Sequence, residues 1–331
     1  MNDSPIEGYC DDKFATVRDA FENNFKQSGE IGARVCVIQE GETVVDLLGG
    51  FVDAEKTTRW TADTLVCCMS VTKGVVALAA HLLRERGQLD YDQPVAHYWP
   101  EFAANGKDAI TVRQAMAHQA SLAIIDNAEP GDAVDWDLFV SKIAAQAPNW
   151  APCTDEDITR VAQHIPNADN ELMTGGLINE STQNQFRPMP NDPAFLTSNE
   201  FLKIGFPSGG GVAHAEALAR MFAPLALGGS YAGVTLYSEE TLSLMCQQQW
   251  NHDDSLFGND FRVALGLLLH TPFSDWVREG NVGTAGAGGF CTFADPDNRF
   301  SFGYTPNRYT NGYGLGDEPK RLMEAVYAAS R

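Results

Sequence analysis

The stretch that most constrains this chain is Cys67-Cys68-Met69-Ser70-Val71-Thr72-Lys73-Gly74-Val75-Val76-Ala77-Leu78. A short connector runs there into a helix whose Val75, Val76, Leu78, Ala79, Leu82 and Leu83 make it apolar around most of its circumference, until Arg84-Glu85-Arg86-Gly87 ends it. A surface helix does not look like this, so the helix is expected to be buried with the rest of the fold around it. Ser70 and Lys73, three residues apart at its start, project from the same face. Desolvation among valines, alanines and leucines lowers a lysine pKa. The neutral amine that results can take the proton of a hydroxyl as its oxygen attacks a carbonyl. The spacing alone is weak, because Ser-x-x-Lys is expected roughly once by chance in a chain this long. A capping serine beside a solvated lysine is the structural alternative.

Before this helix, Asp11 to Gln27 carries Phe14, Val17, Phe21 and Phe25 at helical spacing, which predicts an amphipathic helix laid on a sheet. Ala33 to Gln39 and Thr43 to Leu48, joined by Glu40-Gly41-Glu42, predict an antiparallel hairpin. After it, Thr111 caps a helix to about His118, and Asp135 to Ala145 is a helix with Leu138, Phe139 and Ile143 as its buried stripe. Gly209-Gly210-Gly211 reads as a tight turn before a helix over Ala213 to Leu227, since no Lys-Ser/Thr pair follows to hold phosphate. Ser238 to Gln249 is a helix, Arg262 to His270 a strand, Gly288 to Ala294 and Arg299 to Tyr304 two strands, and Glu318 to Ala329 a closing helix.

The implied fold class is α+β, an α/β sandwich in which an antiparallel sheet is assembled from both chain ends and a mainly helical region is inserted between them. Residues 1–62 and 240–331 would form the sheet domain and 63–239 the helical region, with Ser70 in the cleft between them. A chain of 331 residues, 44% apolar, can bury a core of that size. Its formal net charge of -21 argues against nucleic acid or an anionic membrane as partner. Met1 to Asp12 has no basic-then-apolar leader and no run of about 18 apolar residues occurs, so a cytoplasmic location is expected. Seven scattered cysteines without CxxC spacing and seven dispersed histidines fit reduced thiols, no metal site and no cofactor.

Three further segments carry a resemblance. They are Leu89-Asp90-Tyr91-Asp92-Gln93-Pro94-Val95, Ile110-Thr111-Val112-Arg113-Gln114 ahead of His118-Gln119-Ala120, and Gly286-Ala287-Gly288-Gly289 ahead of Phe293-Ala294-Asp295-Pro296. With Ser70 and Lys73 they make the chain resemble the serine β-lactamase and penicillin-binding-protein superfamily over nearly its whole length. It looks most like the class C-related carboxylesterases, the family VIII esterases. The resemblance implies a β-lactamase/transpeptidase-like fold and a serine carboxylesterase acting on small esters through an acyl-enzyme. Ser70 would be the nucleophile and Lys73 its proton acceptor. Thr284 to Gly289, with Gly286 and the N–H of Ala287, would form the third motif and, with the Ser70 N–H, the oxyanion hole.

Two departures from the family pattern stand out. Thr284 occupies a position that is usually basic or histidine. The tyrosine that the family places shortly after a Pro-Gly-Thr turn is missing, because Trp150-Ala151-Pro152-Cys153-Thr154 runs straight into Asp155-Glu156-Asp157 and no tyrosine lies between Tyr98 and Tyr231. Tyr91, Tyr98, Tyr231 and His118 read as packing or helix-end residues rather than replacements. The alternative reading is therefore a catalytically silent relative that serves as a binding or assembly module. A shortened helical region would also bare apolar surface, to be covered by a second copy of the chain or by the polar Thr154 to Asn199 segment.

Overall fold

The computed structural model describes residues 6–149, 188–190, 195, 198–254, 258–270, 278–309 and 316–330. The departure read at Trp150 to Asp157, and most of the Thr154 to Asn199 segment, lie outside them.

Strand β1 (Ile6–Cys10) leads through a 3-10 turn, capped by Asp11 onto the Lys13 N–H at 2.9 Å, into α1 (Ala15–Gln27). Phe14, Val17, Phe21 and Phe25 are buried as their spacing predicts. β2 (Gly32–Gln39) and β3 (Glu42–Gly50) form the expected hairpin, with Glu40 and Gly41 at positive φ in its turn. β1 pairs along β3. Its sequence, Ile-Glu-Gly-Tyr-Cys, is too short and polar to announce a strand.

Next come β4 (Val66–Cys67), α2 (Val71–Glu85), α3 (Val95–Tyr98) and α4 (Val112–Met116), the last opened by a complete capping box of Thr111 and Gln114. α5 (Trp136–Ala145) is capped by Asp135 onto the Leu138 N–H at 3.0 Å. α6 (Asn199–Ile204), β5 (Val212–Ala213) and α7 (Ala215–Ala226) follow, then the small β6 (Ser230–Tyr231) and β7 (Val234–Thr235) hairpin and α8 (Glu239–Met245). The chain closes with β8 (Trp250–Asp254), β9 (Gly258–Val263), β10 (Leu268–His270), β11 (Val282–Gly286), β12 (Phe290–Asp295), β13 (Phe300–Pro306) and α9 (Asp317–Ala329).

Three expectations are corrected. The helix expected from Ser238 to Gln249 stops at Met245, and β8 follows it. The single strand expected over Arg262 to His270 is two strands, separated by a turn in which Gly266 takes a φ of +73°. An unbroken apolar run hid that turn. Finally, the Leu138, Phe139 and Ile143 stripe is not core: Leu138 is 40% exposed, while Phe139 and Ile143 line a cavity.

The β1 to β3 and β8 to β13 strands make one antiparallel sheet, in the order β1-β3-β2-β13-β12-β11-β10-β9-β8. It is the sheet expected from both chain ends. Its central strands are covered on both faces. Ala33, Val35 and Val37 of β2 face α1 and α9 in one core, while Cys36 and Ile38 face Ala215, Ala219 and Ala223 of α7 in another. Buried Arg34 ties these layers. It donates twice to Asp46 of β3, at 2.8 and 2.7 Å, and once to Glu216 of α7, at 2.6 Å.

α2 packs on β11 beside α7, but it is not buried all round as expected: Val76 and Leu83 are 46% and 42% exposed. Its composition reported apolarity correctly, and the tertiary arrangement leaves one stripe uncovered.

Two buried titratable groups set opposite acid responses. Burial pushes Glu30 up to about 8, where it accepts a hydrogen bond from the Tyr304 hydroxyl. Burial pushes His81 down to about 4; its ring bonds the Tyr91 hydroxyl at 2.6 Å and the Leu265 carbonyl at 2.9 Å. His81 therefore destabilises the fold as pH falls from its usual 6.5 toward 4. Glu30, whose acid form the fold prefers, destabilises it as pH rises from 4.5 toward 8. The Glu30→Gln variant is expected to be more stable than the parent at pH 8.5, by on the order of 3 kcal/mol, and nearly equal to it at pH 4.5, measured by urea unfolding.

Candidate active site

The site begins at a strained corner. Met69, buried and at a φ of +47°, turns the chain from β4 into α2. A left-handed methionine costs about 1–3 kcal/mol and persists where its surroundings over-determine it. Those surroundings are a ladder of turns: the N–H groups of Val71, Thr72 and Lys73 donate to the carbonyls of Cys68, Met69 and Ser70 at 3.1, 3.0 and 3.0 Å. Ser70 thus sits at the N-cap of α2 with no side-chain cap bond, its hydroxyl left for other work.

That hydroxyl accepts a hydrogen bond from Lys73 Nζ at 2.9 Å. Lys73 also donates to the Ser208 carbonyl at 2.7 Å, and neither contact is to a carboxylate. The ammonium is open to solvent on one side, yet it lies among enough protein that desolvation lowers it to about 8. Two neutral acceptors fix its direction without stabilising its charge as a carboxylate would.

Ser208 and Thr72 were not foreseen. The Gly209-Gly210-Gly211 run does form a tight turn, but its glycines serve a second purpose: a Cβ on Gly211 would fall 2.7 Å from Thr72 Oγ1. This close approach lets Gly211 N–H donate to Thr72 Oγ1 at 2.9 Å and Cys68 N–H to the Gly211 carbonyl at 2.8 Å. Thr72 in turn donates to the Met69 carbonyl at 2.7 Å, and β4 pairs with β5. The 208–213 segment is therefore the brace of the serine corner. The only sequence signal was the glycine triplet, and a triplet does not say what it approaches.

On the other side lies β11. A Cβ on Gly74 would stand 2.5 Å from the Thr284 side chain, and one on Gly286 would stand 2.8 Å from the Cys68 carbonyl and 3.1 Å from the Ser70 nitrogen. The strand thus meets the serine corner backbone to backbone at Gly286, while the Thr284 side chain packs directly on the helix at Gly74. Thr284 is buried against Gly74, Gly286 lies on the serine corner, and Ala287 follows at the exposed turn after β11. All five residues picked from the sequence, Ser70, Lys73, Thr284, Gly286 and Ala287, converge here.

The other candidates lie elsewhere. Tyr91 is buried on His81, Tyr98 accepts from the Asp90 N–H at 2.8 Å, and Tyr231 packs beside α7. His118 follows α4 at a φ of +60°, a helix-end residue. The tyrosine that does approach the corner is Tyr309. Its ring covers Gly288, where a Cβ would come within 2.3 Å of it, and packs on the cluster of Cys68, Met69 and Val71. Its buried hydroxyl has no hydrogen-bond partner among the described residues. Among the described residues no group of three or more His, Cys, Asp or Glu could hold a metal ion, and no helix is long and apolar enough to cross a membrane.

Comparison with known proteins agrees with the fold. A family model described as Beta-lactamase matches residues 17–156. The esterase/beta-lactamase LipL of Mycobacterium tuberculosis is 29% identical, over 92% of this chain and 83% of its own. A penicillin-binding-protein homolog from Caulobacter crescentus is 32% identical, with 98% of this chain and 100% of that one covered and a TM-score of 0.84. A family VIII carboxylesterase structure is 27% identical, with 98% and 100% covered and a TM-score of 0.86. Similar in sequence and fold over nearly its whole length to these solved structures, the chain belongs to the serine β-lactamase and penicillin-binding-protein-like superfamily of serine hydrolases.

Proposed function

We propose that the protein is a carboxylesterase that cleaves small carboxylic esters through an acyl-enzyme on Ser70. The observation that carries this reading is the Lys73 amine, 2.9 Å from the Ser70 hydroxyl, without a carboxylate partner among the described residues and lowered to about 8. At pH 7 about one-tenth of such an amine is neutral. It takes the Ser70 proton as the oxygen bonds to the ester carbonyl carbon, and the Ser70 and Ala287 N–H groups hold the resulting oxyanion. Collapse of the tetrahedral intermediate breaks the bond to the alkoxy oxygen, which leaves with a proton from Lys73; water then releases the acid. The names of the LipL relative and of the family VIII structure support the esterase reading.

The esterase reading is preferred over β-lactam hydrolysis because the position that is basic or histidine in the family is here Thr284, buried against Gly74 rather than presented to a substrate carboxylate. The missing tyrosine removes one proton-handling group, and general acid-base help of that kind is worth about 10²- to 10⁴-fold. Turnover is thus expected to be slow, with the acyl-enzyme visible.

Three outcomes follow from this chemistry. A fluorophosphonate probe should label the parent at Ser70, while Ser70→Ala should lose both labelling and p-nitrophenyl acetate turnover; labelling elsewhere with unchanged turnover in the variant would overturn the reading. The kcat/KM for that ester should rise with pH through a single limb near 8 and then level off, because the neutral amine is the active form. Lys73→Met should lower kcat by about 10²- to 10⁴-fold and abolish that limb.

A further inference from the structure

Beside the catalytic pair lies a cavity of about 320 Å³. It reaches the site through Ser208, whose carbonyl accepts the Lys73 hydrogen bond at 2.7 Å. Its walls include Leu122, Ala123, Ile125, Phe139, Ile143 and Phe206, and among the described residues no charged side chain lines it. The Phe139 and Phe206 rings stand 5.9 Å apart, and Phe206 packs in turn on Phe201.

Its polar lining has little left to offer a ligand. Gln146 Oε1 accepts from the Asp126 N–H at 2.8 Å, while its Nε2 donates to Asp126 Oδ2 at 2.9 Å and to the Ala147 carbonyl at 2.7 Å. The Ser208 carbonyl is taken by Lys73. The walls are also fixed in advance. Buried Lys107 donates to the carbonyls of Ala104, Ala144 and Gln146, which pins the end of α5 to the preceding loop. A pocket that is mainly apolar and pre-formed, with its amide and the Ser208 carbonyl already engaged, selects ligands chiefly by shape and apolar area.

We infer that this cavity receives the apolar part of the ester, and that the preferred substrate is an uncharged ester bearing a medium-length alkyl chain or a single aromatic ring. This rests on the esterase reading and deepens it. A carboxylate entering the same space would lose its hydration and meet no cationic side chain among the described lining residues. Placed there, each buried methylene should raise kcat/KM about threefold to fourfold until the space is filled.

The test is a series of p-nitrophenyl esters. The hexanoate should exceed the acetate in kcat/KM by about 80- to 250-fold, whereas the adipate monoester, whose acyl chain is as long but ends in a carboxylate, should stay near the acetate. Filling the space with Ala123→Phe, or more mildly with Ala123→Leu, should cut the hexanoate-to-acetate ratio by about tenfold. A flat series, an adipate monoester as good as the hexanoate, or a ratio untouched by both variants would overturn the inference while leaving the esterase reading intact. Calorimetry with 2-octanone and the Ser70→Ala protein reads the pocket without catalysis: saturable binding weakened by Ala123→Phe supports it, and no binding refutes it. If instead Ser70→Ala keeps the parent's ester turnover, the esterase reading itself falls, and this inference with it.

Discussion

The structure depends on a close approach that two glycines allow. At Gly74 and Gly286 the nucleophile helix and β11 approach so closely that a methyl group on either would collide with the other element. That approach puts the end of β11 next to the Ser70 nitrogen, so one pair of glycines brings the strand against the Ser70 and Lys73 pair. Electrostatic stabilisation of an oxyanion needs donors held in place before charge develops. In the proposed mechanism, backbone N–H groups on both sides would supply them at no further cost in side-chain entropy.

Around this contact the fold works as a brace. The left-handed Met69 corner is held from one side by the 208–213 segment, through Thr72, Gly211 and the β4 to β5 pairing, and from the other by the packing of Tyr309 and Phe290. Lys73 is steered by two neutral oxygens. With a carboxylate in place of the Ser208 carbonyl, the ammonium would be stabilised and would cease to be a base near neutral pH. The same carbonyl borders the apolar cavity, so the group that orients the base also marks where the substrate is received.

Much of the site was legible because it is local. Ser70 and Lys73 share a helix face by spacing alone, and the glycines at 286, 288 and 289 follow from the resemblance. What stayed hidden is contact between distant segments. Ser208 carries no signal in its side chain, since its carbonyl does the work. The Phe139 and Ile143 stripe looked like core because apolar spacing reports that a face avoids water without reporting whether protein or empty space meets it. Thr284 was noticed as an oddity of type; its burial against Gly74 explains how a threonine fits there.

By itself the sequence determined the elements whose signals lie within a few residues: the capped helices at Asp135 and Thr111, the β2 to β3 hairpin, the phenylalanine stripe of α1, and the serine-lysine face of α2. It also pointed to an antiparallel sheet built from both chain ends. Only the tertiary structure decided where α2 is left bare, that β1 joins the sheet, that Gly266 breaks one apolar run into two strands, and which carbonyl meets Lys73. Periodicity and capping are properties of neighbouring residues. Burial, desolvation and close backbone approach arise only when segments more than a hundred residues apart are brought to within 3 Å, as Lys73 and Ser208 are.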